Sequence, residues 1–547
     1  ATDATATTAE AATLIADAIN GEYGAVIATV GADSGSTLDK VTIDSGVVGL
    51  AISAPAGGAA ASGGVTTTTT SNGLLTTDAA VIAVTNGTAA VAASKYTTTV
   101  GGGTFTGATD FINDKSTANV AFTGLKAGQT ATIQADGLMT HGTTSAAYGA
   151  TVTSADLVID GGTKGGAITL TGTGISSATI TSQGAALTST GKLGTNTTGT
   201  ISAFENATST QGTLTINADS NLTMKGGLDT DAETLVLKGA GSVSVLASST
   251  GNPAQAIGGA GNLDTIDASG LTGATGVKLV LNTGTLAFTG GQGKDNVTTA
   301  ALGTTASIDG GDGEDTLVIG TASDLDSTTE GAKYSNFEIV QTPGSFAASL
   351  VPSAYSHVLT ATGTVSGLTA TQAANQQLYT GDVTSVGYAL ANSAGKSDVL
   401  GLTMAYSAAA ATANITTGLT ANGFETINIK TSPYYTMTGS NATSTIANIT
   451  SDKATSVVLT GTSFSLSDIS NLTLPAAIDA SGLTGDRATT DPKGLTTSGN
   501  ATTGSVITGS DYNDTFNIGA EGQTFNGGDG DDTFVIGSTD PAALLAA

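Results

Sequence analysis

A chain of 547 residues is long enough for several independently cored units. It carries 44 Asp plus Glu against 16 Lys plus Arg, a formal charge of −28, so it has little with which to neutralise phosphates and nucleic acid is excluded as a partner. It has no Cys, which excludes disulfides and thiolate chemistry, and no apolar run approaches the ~20 residues of a membrane-crossing helix. With 76 Gly, 4% aromatic residues and a remainder rich in Thr, Val, Ala and Ser, the composition favours many short strands joined by tight turns. The sequence therefore predicts a mainly β protein.

In chain order, residues 1–60 read as a small α/β module. Ala11, Leu14, Ile15 and Ile19 share one helical face, Asn20-Gly21 supplies a stop, and strand-like Gly24–Val30 and Val41–Ile43 follow. The Gly/Ala-rich run Ala54–Gly64, with Thr66–Thr70 behind it, reads as a linker or exposed loop. Residues 61–245 alternate short strands with Gly/Asn/Thr turns, as at Ala167–Thr171, Leu214–Ile216 and Thr234–Leu237, and predict a β-solenoid or β-sandwich. Residues 246–325 form a first Gly/Asp-rich roll, 326–475 a second β-rich region, and 476–547 a second roll with a short tail. A Phe-Glu step recurs at Ala203–Glu205, Asn336–Val340 and Gly423–Ile427, which suits a repeated solenoid rung.

A longer duplication is plain. Ile266-Asp-Ala-Ser-Gly-Leu-Thr-Gly273 returns unchanged as Ile478–Gly485, and each copy precedes a Gly/Asp block. Three segments in those blocks fit G-G-x-G-x-D-x-U-x, where U is a large apolar residue: Gly290–Thr298, Gly310–Val318 and Gly527–Val535. A degenerate fourth is Gly509–Asn517, and Gly258–Asp264 is a looser relative. Glycines let the backbone bend tightly so that carbonyl oxygens converge, and the aspartate at position six adds a hard anionic oxygen suited to calcium. The apolar eighth residue falls on a strand and points inward, so one nonapeptide builds half a coil. Gly509 and Gly527 are 18 residues apart, which stacks Asp514 on Asp532, while Phe516, Phe525 and Phe534 recur every nine as an interior ladder. From Gly290 to Gly310 the step is 20, a less regular roll.

These nonapeptides resemble those of the RTX family, whose repeats form calcium-binding parallel β-rolls. The resemblance implies Ca2+ between stacked turns, held by Asp295, Asp315, Asp514 and Asp532. Turn carbonyls from Gly290, Gly291, Gly293, Gly310, Gly311, Gly313, Gly527, Gly528 and Gly530 would join them, with Asp312, Asp511, Asp529 and Asp531 as further oxygens. It also implies type I secretion, for which the tail Gly537–Ala547 resembles the signal. The octapeptide beside such repeats, in a Thr/Ala/Gly-rich chain whose one arginine is Arg487, resembles bacterial surface-layer proteins in particular. The specific motifs span 258–323 and 478–547, about a quarter of the chain.

Catalysis finds no support. His141 and His357 stand more than two hundred residues apart without a metal-site pattern, and each is expected at the surface or in a turn. No nucleophile elbow or phosphate loop is present. Sequons at Asn196, Asn206, Asn414, Asn441 and Asn448 are no more than Ser/Thr richness supplies. The expected function is a secreted, non-enzymatic, calcium-dependent cell-surface protein whose main partner is itself, with polysaccharide or lipopolysaccharide as a further one. Anchoring falls either to residues 1–60 or to a segment outside this chain. An adhesin or biofilm fibre is the alternative.

Overall fold

The computed structural model describes residues 97–536 apart from short connecting stretches, the longest of them 247–256 and 433–443, together with the backbone of strands between 28 and 85. The expected helix ending at Asn20 and the tail 537–547 lie outside the described residues. Packing divides the chain into two units, Ala1–Asp295 and Asn296–Ala547. Both are built almost wholly from β-strands.

Unit one opens with an antiparallel sheet of Ala28–Ala32, Asp39–Asp44, Gly49–Ser53 and Thr66–Thr70, each paired with the next. This corrects the reading of Thr66–Thr70 as loop: the threonine run is an edge strand, and β-branched residues suit that role. From Ala80 onward every paired strand of the unit is parallel. One face climbs from Ala80–Thr85 through Thr130–Gln134 and Thr213–Ala218 to Ala287–Thr289. A second climbs from Thr97–Gly101 to Ile257–Gly258, and a third, from Thr195–Thr198 to Val277–Val280, joins midway. The chain visits the faces in turn, so each coil lays one strand on each sheet. This is a solenoid, not a sandwich.

Register explains the core. Phe111, Ala131, Leu157, Ile180, Ile216 and Leu237 stack on successive coils as one inward column, all buried. Thr130, Asp156, Thr179 and Thr215 form an outward column beside it. The period-two alternation of each strand thus becomes a column of like residues along the solenoid. Each inward Ile or Leu contributes roughly 1.5–3 kcal/mol of burial.

Unit two is a two-faced roll. One face runs from Asn296–Thr298 through Val399–Ala405 and Ala477–Leu483 to Thr524–Asn526, and the other from Phe346–Ala347 through Asn414–Thr420 to Thr533–Ile536. Leu400, Ile427, Val457, Ile478, Ile507 and Phe525 form its clearest column. Short helical turns at Ala322–Leu325, Thr328–Gly331, Ala348–Leu350 and Ala370–Ala373 interrupt the early coils.

The duplicated octapeptide has a structural reason. Strands Thr265–Leu271 and Ala477–Leu483 both slip by one residue against the preceding coil, so that Gly270 meets Lys238 and Gly482 meets Thr460. In both copies the aspartate, Asp267 or Asp479, accepts the N–H of the serine two residues on at 3.0 Å, which shapes the bulge. Ala268 and Ala480 turn into the core. A Cβ at Gly270 would lie 2.7 Å from Lys238 Cβ, and one at Gly482 2.8 Å from Thr460 Cγ2, so neither position has room for a side chain. Leucine then plugs the core, and the following threonine N–H bonds back to Gly239 O or Gly461 O.

Both histidines are buried, which corrects the expectation of surface positions. His141 stands just before strand Thr144–Tyr148 with Nδ1 2.8 Å from Gly142 O. His357 interrupts the inward column Leu317, Val340, His357, Gln376, Leu402. Gln376 Nε2 lies 3.1 Å from His357 Nδ1, and the Phe346 ring packs 5.3 Å from the imidazole. Burial pushes the His357 pKa from 6.5 down to about 4, the Gln376 contact opposing it. A depressed imidazole pKa stabilises the fold fully above pH 6.5, and that stability is lost as pH falls toward 4. His357→Gln is therefore expected to reduce the stability lost between pH 7 and pH 4 by about 3 kcal/mol, read by urea denaturation at each pH. An unchanged acid dependence would contradict the burial of a neutral imidazole.

Candidate metal centre

Four Gly/Asp turns can be built from their residues upward. In unit one, Gly290, Gly291 and Gly293 follow strand Ala287–Thr289 and are buried under the end of the octapeptide. Gln292 N–H donates to Leu271 O and Lys294 N–H to Ala274 O, at 3.0 and 3.1 Å. A Cβ on Gly293 would come within 2.0 Å of Gly273 O, so only glycine permits this stacking. Asp295, 1% exposed, clips the two coils together. Its Oδ1 accepts Val277 N–H at 2.6 Å and its Oδ2 accepts Gly291 N–H at 2.7 Å. Burial raises its pKa, and these two backbone donors oppose the rise.

In unit two, Gly310–Asp315 stacks on Asn336–Glu338 of the next coil. Gly311 and Gly313 have φ of 91° and 139°, Asp312 is exposed on the rim, and Asp315 is buried. Gly310 lies so near Asn336 O that a Cβ would stand 2.2 Å away. Asp315 N–H donates to Glu338 Oε2 at 2.9 Å, and Asn336 Nδ2 donates to Asp309 Oδ1 at 2.7 Å.

The last pair fits the expected geometry most closely. Register places Phe516 on Phe534 and Ile507 on Phe525, coils of eighteen residues. The three phenylalanine rings pack with centroids 5.2–6.1 Å apart, as their spacing predicts, but only Phe516 is interior: Phe525 is half-buried and Phe534, on the last described strand, is 46% exposed. Asp514, 1% exposed, accepts Ser510 N–H at 2.7 Å, Ser510 Oγ and Leu495 N–H, all neutral donors. Its own N–H donates to Asp532 Oδ1 at 3.0 Å. Burial raises the Asp514 pKa most, hydrogen bonds to Leu495 and Ser510 oppose the rise, and the charge of Asp532 adds to it. A Cβ on Gly528 would lie 2.0 Å from Ser510 O, and one on Gly530 2.9 Å from Tyr512 O. A Cβ on Gly509 would likewise lie 2.2 Å from Gly527 O. Asp511, Asp529 and Asp531 are exposed on the rim, where Asp531 N–H donates to Asn513 Oδ1.

Carbonyls of Ser510, Tyr512 and Gly527 therefore line the seam between the two stacked turns, where Asp532 accepts the Asp514 N–H, while the Asp514 carboxylate reaches back to Leu495 of the preceding coil. Such an oxygen-only set fits calcium rather than zinc or copper. Among the described residues no three His, Asp or Glu side chains converge as a metal cluster, so a cation here would rest largely on turn carbonyls.

Sequence reasoning missed a second set of clips. Asn119, Asn221, Asn414 and Asn513 each open a strand and accept, through Oδ1, a backbone N–H of the next coil. The donors are Thr143, Ser242, Thr445 and Asp531, at 2.8–2.9 Å. Asn196, read as a chance sequon, is wholly buried, accepting from Gly162 and Thr163 and donating to Ile159 O and Gln183 O. Glu338 and Glu425 of the Phe-Glu segments each accept the N–H of the acid one coil earlier, Asp315 or Asp398. The Phe-Glu pattern was thus a real signal for two of its three occurrences. At Ala203–Glu205 the geometry differs, because Phe204 takes a φ of 69°.

No protein-family model matches the chain, and no curated protein matches it.

Asp514→Ala leaves the Leu495 and Ser510 N–H groups without their acceptor in a buried corner. The variant is expected to lose about 2–3 kcal/mol of stability, measured by denaturant unfolding, whereas Asp529→Ala on the exposed rim changes it by less than about 0.5 kcal/mol. Equal losses would refute the assignment of Asp514 as the clip.

Proposed function

We propose that this chain is a secreted, calcium-ordered structural protein that assembles with itself at the cell surface, as surface-layer proteins of the RTX type do. The observation that carries the proposal is the stacked pair Gly509–Asp514 and Gly527–Asp532, 18 residues apart, whose seam holds turn carbonyls packed on glycines and the Asp532 carboxylate on the Asp514 N–H. Calcium bound there supplies positive charge to oxygens that are costly to bury bare. The chain's own part is to fix their spacing through the glycines that admit close stacking, the Asp514 clip, and the Phe516–Phe525–Phe534 ladder beneath. Sites of this type fill at roughly 10⁻⁴–10⁻³ M calcium, which would leave them empty in cytosol and filled outside.

The overall charge of −28 supports the same reading, because it opposes self-association until divalent ions screen it. The parallel coils of unit one also present regular outward columns, such as Thr130, Asp156, Thr179 and Thr215, which suit a repeating building block. A second reading, an adhesin displayed singly, draws support from the outward threonines on unit one, including Thr130, Thr179 and Thr215, a regular hydroxyl array of the kind polysaccharide would contact.

Electron microscopy of the purified chain separates the two. Ordered sheets or filaments are expected in millimolar calcium and their loss in excess chelator. Single particles in both conditions, with retention on polysaccharide, would favour the adhesin, and polymers indifferent to chelator would defeat the calcium mechanism.

A further inference from the structure

The turns of unit two are closed in two different ways. At Gly310–Asp315 the next coil supplies protein groups: Asn336 Nδ2 reaches Asp309, Glu338 Oε2 takes the Asp315 N–H, and the N–H groups of Glu338 and Ile339 donate to Asp315 O. Farther along, the turn Asn392–Asp398 has no nonapeptide yet repeats the arrangement. Glu425 Oε2 accepts Asp398 N–H at 2.8 Å, while Glu425 and Thr426 donate to Asp398 O at 3.0 and 3.2 Å. Lys453, one coil later again, donates from Nζ to Ser393 O and stands 3.6 Å from Glu425 Oε1. Its ammonium thus meets a turn carbonyl and a carboxylate, the ligand types a divalent cation would take, and it links three successive coils. That pair is partly exposed, so it works together with the backbone clamps rather than in their place.

The final turns keep the backbone clamp and an asparagine clip, Asn513 on Asp531, but the charge that bears on the Asp514 carboxylate there is a second carboxylate. Asp532 accepts the Asp514 N–H as Glu338 and Glu425 accept theirs. The partners of the Asp514 carboxylate are neutral backbone and hydroxyl donors, and the facing charge is a second carboxylate.

We infer that calcium control within unit two is confined to its C-terminal coils, from Val506 onward, whereas the coils between Ile339 and Gly461 are locked by Asn336, Glu338, Glu425 and Lys453 and fold without the ion. This rests on the calcium reading above. Its consequence is a gated edge. Calcium withdrawal releases Val506–Thr508, Asn513–Ile518, Thr524–Asn526 and Thr533–Ile536, and leaves the bulged strand Ala477–Leu483 as the last ordered member of its sheet. Calcium then sets the length of the roll rather than its existence.

Hydrogen exchange on the full chain, in millimolar calcium and in excess chelator, tests this. Peptides covering 506–536 are expected to lose protection by at least about tenfold in chelator, and those covering 426–461 to change by less than about twofold. Loss across both regions would overturn the inference and keep the calcium reading. No loss anywhere would overturn both. Asp514→Asn/Asp532→Asn should abolish the calcium difference in 506–536 and spare 426–461. Lys453→Met should lower protection of 426–461 equally in both conditions, and a drop confined to chelator would count against the inference.

Discussion

The structure depends on where the backbone N–H groups at the corners of each coil find acceptors. Along the flat faces, parallel strands satisfy one another. At the corners the chain turns, and the ladder breaks. Here the corners are closed by side-chain oxygens, most of them reaching along the solenoid axis: Asp295 to Val277, Asp514 to Leu495, Glu338 to Asp315, Glu425 to Asp398, and asparagines 119, 221, 414 and 513 to the coil above, while Asp295 and Asp514 also cap Gly291 and Ser510 within their own turns. A buried N–H left without an acceptor costs about 1–3 kcal/mol, and a long solenoid has many corners. The same requirement recurs with every coil, so short polar side chains at fixed positions matter more to this chain than any single core residue.

Using carboxylates for this purpose has an electrostatic consequence. An asparagine clip is neutral and asks for nothing more. An aspartate clip buries a charge, and the raised pKa of Asp295 and Asp514 reports the cost of its desolvation. Where the stacked turn supplies a second carboxylate, as Asp532 does, the cost grows. Where a lysine is in reach, as Lys453 is, the compensating charge is covalently attached. On the calcium proposal, the choice among Asn, Glu–Lys and Asp–Asp corners is what would separate self-sufficient coils from those that answer to the medium.

Much of this was legible. The fold class followed from composition and alternation, and the nine-residue spacing of Phe516, Phe525 and Phe534 was enough to stack their rings, since side-chain direction follows from a fixed half-coil; that Phe534 is exposed depends on its place on the last described strand. The duplicated octapeptide was visible as a repeat. Its meaning as a bulge was not, because the slip exists only against the coil beneath it. The histidines were misplaced for a related reason: a lone imidazole carries no local sign of burial, and Gln376, which faces His357, is nineteen residues away.

By itself the amino-acid order determined the periodicities: alternation within strands, glycine where chains must touch, and aspartate at the sixth place of each nonapeptide. These are local, fixed by backbone sterics and by which face a side chain occupies. Tertiary structure alone decided which coil lies on which. That assignment turns Asn414 from a sequon into a clip on Thr445, makes Glu338 the acceptor of a nonapeptide turn, and sets Asp532 against Asp514. Coil lengths vary, so the axial neighbour of a residue can be 18 or more than 30 positions away, and a contact of that kind leaves no mark on the residues between.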